Sequence, residues 1–415
     1  MSAARSGHAV PPRDAGIDAF LDGHLEELIT FRRELHAHPE LSHEEHETTA
    51  RVCERLRVAG LAPRILDGGT GLLCDLPGPG SAPGSPRVAL RADLDALAMA
   101  DETTVPYRSQ VPGVAHACGH DVHTTVVLGA GLALTRLLAG SDAPAGSVRL
   151  LFEPAEESAP GGALDVIGAG GLTEVDWLFG LHCDPKLDAG QIGVRVGPIT
   201  SAADLVEIRL HGPGGHTARP QLTVDLVALA GRIASDLPDV LRGSDAGLNL
   251  VFGALHAGDA ANVIPATAVL RGTLRTPDRE AWDTAPELLA AALRGFVDAA
   301  GATAEIEHDR GVPPVVNDER ATTLLADAAR ATLGTEAVVA TEQSAGGDDF
   351  AWYAERVPST YARLGVHDPA SSGPRRDLHA STFDVDERAI AIGVRVLVAA
   401  TLAALRTSDS RFRGA

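Results

Sequence analysis

Apolar positions near the start of the chain recur at three- and four-residue intervals, with Leu21, Leu25, Leu28, Ile29 and Leu35 sharing one face. That periodicity predicts helix across Ile17 to Leu56, interrupted at Pro39. A surface loop rich in Pro, Gly and Ser, from Pro77 to Pro86, leads into the short apolar run Val88 to Leu90, which reads as a buried strand. The pattern then predicts a helix from Val122 to Leu138, a strand from Val148 to Phe152, a helix around Ala163 to Ile167 and a strand from Val175 to Leu181. Strands alternating with helices imply a mostly parallel sheet covered on both faces.

From about Ala203 the order changes. Strand Leu205 to Leu210, helix Val224 to Leu237, strands Leu248 to Leu255 and Ala268 to Leu274, helix Arg279 to Ala299 and strand Ala304 to His308 give β-α-β-β-α-β, the ferredoxin-like order. After Pro313 and Pro314 the first pattern returns, with a helix at Arg320 to Thr332, a strand at Val338 to Thr341 and a closing helix from Glu387 to Leu405. The fold class expected is α/β: one domain formed by 1–199 and 313–415, split by an inserted α+β domain over 200–312.

Composition narrows the function more than the fold. The 415 residues are 45% hydrophobic and 22% charged, as in a soluble globular enzyme. A formal net charge of -21 with no basic stripe argues against nucleic-acid and anionic-membrane partners and leaves small molecules. Lys186 is the sole lysine, a bias of base composition rather than of chemistry. Met1 to Asp18 is polar, without the apolar run of a signal peptide, and no stretch approaches ~20 uninterrupted apolar residues, so a cytoplasmic location is expected. The four cysteines, Cys53, Cys74, Cys118 and Cys183, make no disulfide framework in so long a chain, so a special cysteine is more naturally a ligand or nucleophile.

In open α/β sheets, ligands gather at the carboxyl ends of strands. Three predicted strands end there in polar residues: Arg91-Ala-Asp93-Leu-Asp95, Glu153-Pro-Ala-Glu156-Glu157, and His182. Between the first two lies His116-Ala-Cys118-Gly-His120-Asp121-Val-His123, just before a helix, with Gly119 allowing a tight backbone. Singly, a Glu pair is usually a helix start, a strand-end His is usually structural, and a buried Cys is commonly inert. Thiolate and imidazoles together at successive strand ends suit zinc or a similar ion.

With these motifs the chain resembles the M20 family of metallopeptidases and amidohydrolases, in the branch of hippurate hydrolase, indole-acetyl-amino-acid hydrolases and N-acyl-amino-acid deacylases. The markers run from Arg33-Glu-Leu-His-Ala-His-Pro-Glu-Leu41 through Arg91-Ala-Asp-Leu-Asp-Ala96, His116-Ala-Cys-Gly-His-Asp121, Pro154-Ala-Glu-Glu157, Gly161-Gly-Ala163, Gly180-Leu-His182, Gly214-Gly-His216, Asn262-Val-Ile-Pro265 and Asp348-Asp-Phe350 to Leu378-His379. The resemblance implies a zinc-peptidase-like catalytic domain interrupted by a ferredoxin-like lid through which a homodimer forms. It implies two divalent metal ions per subunit, zinc or manganese, with cobalt or nickel possible. Cys118 is then the bridging ligand, with His120, Glu157, His182 and His379 completing the set, and Glu156 the general base. His216 is implied as the oxyanion-stabilising residue, reaching across the dimer, and Asn262 as part of the substrate-binding surface of the lid.

Asp93 and Asp121 are expected to orient ligands, and Arg275 is read as structural. Related peptidases have a ligand His where this chain has Arg91. The early cluster His36, His38, His43 and His46 is read as packing and surface. Three departures from the family's usual pattern, Gln221 for His, Asp348 for Glu and Ser381 for Pro, bear on substrate choice. The expected reaction is hydrolysis of an N-acyl amino acid or small related amide to a carboxylate and a free amine. A dipeptidase or aminopeptidase using the same site is the near alternative, and a non-catalytic metal- or ligand-binding homologue the distant one.

Overall fold

A computed structural model describes residues 15–81, 84–371 and 373–407. Most of the polar N-terminal stretch considered above, up to residue 14, lies outside the described residues. The chain divides into two compact units, Met1–Gly197 with Asn317–Glu342 and Trp352–Ala415, and Pro198–Val316 with Gln343–Ala351. The second unit thus takes in Gln343–Ala351, which the sequence reading had left in the range 313–415. Ser201 N bonds to Gly346 O and Gln343 Nε2 to Thr200 O, at 3.0 Å each, ties that no periodicity reveals.

The first unit is built on an eight-stranded sheet. Its order is Arg64–Ile65, Leu72–Pro77, Ser147–Glu153, Arg87–Asp93, Trp177–Asp188, Ser359–His367, Ile192–Val194, Val338–Ala340. The four central strands from Ser147–Glu153 to Ser359–His367 are mutually parallel, whereas Leu72–Pro77 joins antiparallel on one side and Ile192–Val194 on the other. Every residue of Ser147–Glu153 is buried, as expected for a strand covered on both faces. Helix Ala15–Ala37 buries Leu21, Leu28 and Leu35, and the predicted break at Pro39 separates it from a second helix, His46–Val58. The closing helix Arg388–Leu405 is long and apolar enough to cross a membrane by length and composition, with a mean hydropathy of 1.9, but 67% of it is buried in the protein. Arg395 on that helix pairs with Asp18, so its polar side chain is satisfied by protein.

The second unit carries a four-stranded antiparallel sheet, Asn249–Ala257, Thr267–Thr276, Ala202–His211, Thr303–Val312. In chain order this is 2-3-1-4, the ferredoxin-like arrangement that the element order predicts. Ala202–His211 alternates strictly: Val206, Ile208 and Leu210 face a core shared with Leu229, Ile233, Leu237, Leu289 and Leu293 of its two helices. Leu205, on the other face, is 59% exposed. Asp225 and Asp278 cap those helices by accepting from backbone N–H groups of the first turn.

Candidate metal centre

The predicted donors of the first unit converge. Cys118 Sγ lies 3.5 Å from His182 Nε2. His120 Nε2 is 3.9 Å from carboxylate oxygens of both Glu156 and Glu157, and His379 Nε2 is 3.3 Å from Glu157 Oε1. Donor atoms of Cys118, His120 and His182, of Cys118, Glu157 and His379, and of His120, Glu156 and Glu157 each fall within 4.8 Å of one another. Cys118, His120 and His182 are buried, while the His379 side chain is 51% exposed and marks the solvent side.

Local backbone explains how the sequence achieves this. Gly119, at φ 90°, precedes helix His120–Leu137 and lets Cys118 and His120 face one point. A Cβ there would also stand 2.7 Å from Cys183 Sγ, so glycine is needed for space as well as for φ. His182 lies inside strand Trp177–Asp188 rather than at its end, because pairing with Ser359–His367 carries that strand past it, and Glu156 and Glu157 follow strand Ser147–Glu153. His379 arrives from the C-terminal region with a left-handed φ of 60° and is held by its own N–H, which donates to Ala117 O at 2.8 Å.

Hydrogen bonds on the far side of each ring decide which nitrogen faces the cluster. His182 Nδ1 lies 2.7 Å from the Cys183 carbonyl, which only accepts, so this nitrogen carries the proton and Nε2 presents a lone pair. His120 Nδ1 faces Asp95 Oδ1 at 3.2 Å, leaving Nε2 inward, buried and without a hydrogen bond. His123 is excluded as a donor although it neighbours Asp93 and His120. Its Nδ1 is bound by Asp93 at 2.7 Å, and its Nε2 accepts the Cys183 N–H at 2.8 Å.

The electrostatics fit a cation. Burial pushes the Cys118 thiol well above its ordinary range, so a thiolate here needs a positive ion beside it. Burial and the neighbouring His123 and Arg363 hold His182 well below the usual histidine value, as a neutral imidazole. Burial alone would lower His120 too, but Asp93 and Cys118 raise it well above the ordinary value, holding a proton where a cation would sit. An inward lone pair, an orphaned buried nitrogen and a thiol with two carboxylates form a donor set suited to transition-metal ions.

The supporting residues sort differently from expectation. Asp93 is held by Arg91 Nη1 at 2.5 Å and by His123, and Arg91 itself is fixed by two bonds to Glu153. Asp121 turns away from the donors toward Arg32 Nε at 2.7 Å and His36 Nδ1 at 2.8 Å, so its contacts are with the N-terminal helix. Asp95, to which the sequence reading gave no role, touches both halves of the cluster. Its Oδ1 faces His120, and its Oδ2 accepts the Glu157 N–H at 3.0 Å and the Ser42 hydroxyl at 2.7 Å. The spacing Asp-x-Asp at a strand end was the available signal. None of His36, His38, His43 and His46 falls in a donor group among the described residues. His216 and Asn262 come together in the second unit: His216 pairs with Val263, and Thr217 N donates to Asn262 O at 3.3 Å.

Known proteins resemble the chain over most of its length. The family model described as peptidase family M20/M25/M40 matches residues 89–403. A Rhodococcus jostii (strain RHA1) protein named for a glutamate–cysteine ligase is 47% identical over 378 residues, which are 90% of this chain but only 46% of that protein. An N-acetylcysteine deacetylase of Bacillus subtilis (strain 168) is 37% identical over 386 residues, 92% of this chain and 97% of that one. The crystal structure of a dinuclear metal-binding peptidase of the M20 family from Bacillus subtilis aligns with a TM-score of 0.81 at 34% identity, covering 94% of this chain and 99% of that one. The chain belongs to peptidase family M20/M25/M40 and is a metal-dependent amidohydrolase.

Proposed function

We propose that the protein hydrolyses the amide bond of N-acyl amino acids to a carboxylate and a free amine, at a centre held by Cys118, His120, Glu157, His182 and His379. The convergence of these five side chains, from a helix start, the loop after one strand, the interior of another and the C-terminal region, is the observation that carries the reading. Two divalent ions, zinc or manganese, would occupy the site, with Cys118 and its thiolate shared between them; cobalt and nickel also suit such mixed donors. When bound, they supply Lewis-acid polarisation of the amide carbonyl and lower the pKa of water.

Glu156 acts as the base. Its carboxylate stands 3.9 Å from His120 Nε2, and it takes the proton of the attacking water and delivers it to the leaving nitrogen. In the proposed dimer His216 would reach across to the other subunit's centre and supply a donor to the carbonyl oxygen as it becomes negative, and Asn262, beside it in the second unit, would orient the substrate. A homodimer through the second unit is part of this reading. Strand Asn249–Ala257 lies at the edge of its sheet and exposes Val251 and Leu255 by 54% and 41%. The location proposed is cytoplasmic.

The Bacillus subtilis relative matched over 97% of its length is named an N-acetylcysteine deacetylase, which makes N-acetylcysteine the first substrate to test. Purified protein with added zinc, manganese, cobalt or nickel is to be assayed on N-acetylcysteine, other N-acyl amino acids, hippurate and unblocked dipeptides. Turnover of the N-acyl compounds is expected; turnover of the dipeptides alone would make the enzyme a peptidase and defeat this proposal.

A further inference from the structure

Glu45 poses a burial problem that the metal centre does not solve. It is 0% exposed and takes part in no ion pair among the described residues, although a carboxylate is rarely enclosed without a cation beside it. It occupies the N-cap position of helix His46–Val58, yet its side chain does not cap that helix. Instead Oε1 accepts the Ala155 N–H at 2.7 Å and the His43 N–H at 3.0 Å. Burial raises its pKa above the ordinary range, and Oε2 makes no hydrogen bond.

Ala155 is the residue that this arrangement constrains. It is fully buried at φ 54°, left-handed backbone that costs an L-residue about 1–2 kcal/mol. It immediately precedes Glu156. Its carbonyl is taken by Gly162 N at 3.2 Å, and two residues on, the Glu157 N–H is taken by Asp95. The peptide after Glu156 is therefore fixed from outside the loop by Asp95, the peptide before it is fixed within the turn by Gly162, and the Pro154–Ala155 peptide is fixed from outside by Glu45. The N-terminal clamp reaches across 110 positions of sequence. Its own base is firm: Glu40 accepts the N–H groups of Glu47 and Thr48, and Ser42 donates to Asp95.

We propose that Glu45 is a positioning residue for hydrolysis: its Oε1 holds Ala155 in the left-handed conformation and thereby aims the Glu156 carboxylate. The polar segment Glu40–Glu45 is then a buttress for the base rather than a helix-turn decoration. What matters in this scheme is the reach of an acceptor oxygen, not a negative charge. The inference rests on Glu156 being the base.

Two substitutions separate reach from charge. Glu45→Gln keeps an oxygen at the same distance and removes the charge, whereas Glu45→Asp keeps the charge and withdraws the oxygen by one methylene. Full-length wild type, E45Q, E45D and E156Q are compared with saturating manganese on N-acetylcysteine, together with metal content and amide hydrogen exchange over residues 153–158. Misplacement of a reacting group by about 1 Å costs up to ~100-fold, so E45D is expected to lose at least about tenfold in kcat, with KM within about twofold. Its metal content stays at the wild-type level and exchange at Ala155 accelerates, while E45Q keeps kcat within about threefold. Wild-type kcat in E45D, unchanged exchange in E45D, or an E45Q loss as large as that of E45D overturns the proposal. Wild-type kcat in E156Q instead overturns the base assignment, so the two failures are distinguishable.

Discussion

Replacing Asp95 by Asn is expected to weaken metal binding without removing a single donor atom. Asp95 accepts from His120 Nδ1 through one oxygen and from Glu157 N and Ser42 Oγ through the other, and the residue is buried. Asn offers one oxygen and one NH2 group. Whichever way the amide lies, a donor meets a donor, facing either His120 or the Glu157 peptide. The loss is one hydrogen bond to an ionised acceptor, about 1.5–3 kcal/mol. If that energy is what keeps His120 and Glu157 in register, the metal association constant falls by about 10- to 150-fold at 1.4 kcal/mol per decade. Competition with a chromophoric chelator at fixed pH measures this directly, on wild type and variant side by side. At saturating metal the geometry is restored by the ions themselves, so kcat should recover to within a few-fold of wild type. An unaltered metal affinity in folded D95N protein would refute the view that Asp95 organises the donors.

Glu156→Gln should retain both the metal content and the fold but lose about 10²- to 10⁴-fold in kcat, because an amide cannot accept and return the proton; elemental analysis beside a turnover assay decides it. Cys118→Ala should lose at least one metal equivalent per chain, and unchanged stoichiometry would rule out a shared thiolate. In the second unit, burial tends to raise the pKa of Asp204, but hydrogen bonds from His308, Trp282 and the Gly311 N–H hold it below the ordinary range. A carboxyl depressed on folding stabilises the native state above its unfolded pKa, about 3.9, and that contribution fades as pH falls below it. Asp204→Asn should therefore destabilise by about 1–3 kcal/mol near neutrality, and urea midpoints of the two proteins should draw together below about pH 4. A gap that widens on acidification would reverse the sign of this reasoning.

Glu157 and His182 were readable in the sequence because each follows an apolar run, where sheet topology makes neighbours of residues far apart in the chain; Cys118 and His120 lie in a short motif before a helix, and His379, which no such run precedes, came only from the family resemblance. The inserted ferredoxin-like domain was readable because its strands alternate and its helices are amphipathic. Strand Ser359–His367 was not: fully buried along most of its length, it mixes Ser, Thr and Gly with the buried Arg363, and so shows neither an apolar run nor an alternation. Asp95 and Glu45 were missed for a different reason. Among 56 acidic residues the Asp-x-Asp spacing marks Asp95 only as a strand-end carboxylate and nothing marks Glu45, and what distinguishes these two is the backbone N–H each one meets, 62 and 110 positions away. The expectation for Asp121 drew on its position beside His120, but a helix turns adjacent side chains by about 100°, which sends Asp121 to Arg32 instead.

The bond from His379 N to Ala117 O joins the last donor to the loop that carries the first. During synthesis, most of the polypeptide must leave the ribosome before that junction can form. If the five donors hold the ions as proposed, nascent chains could hold one only through the earlier side chains, and full loading would be a late event. Chelators should accordingly unlatch the C-terminal region first, and a protease added with them should nick there before it reaches the central sheet.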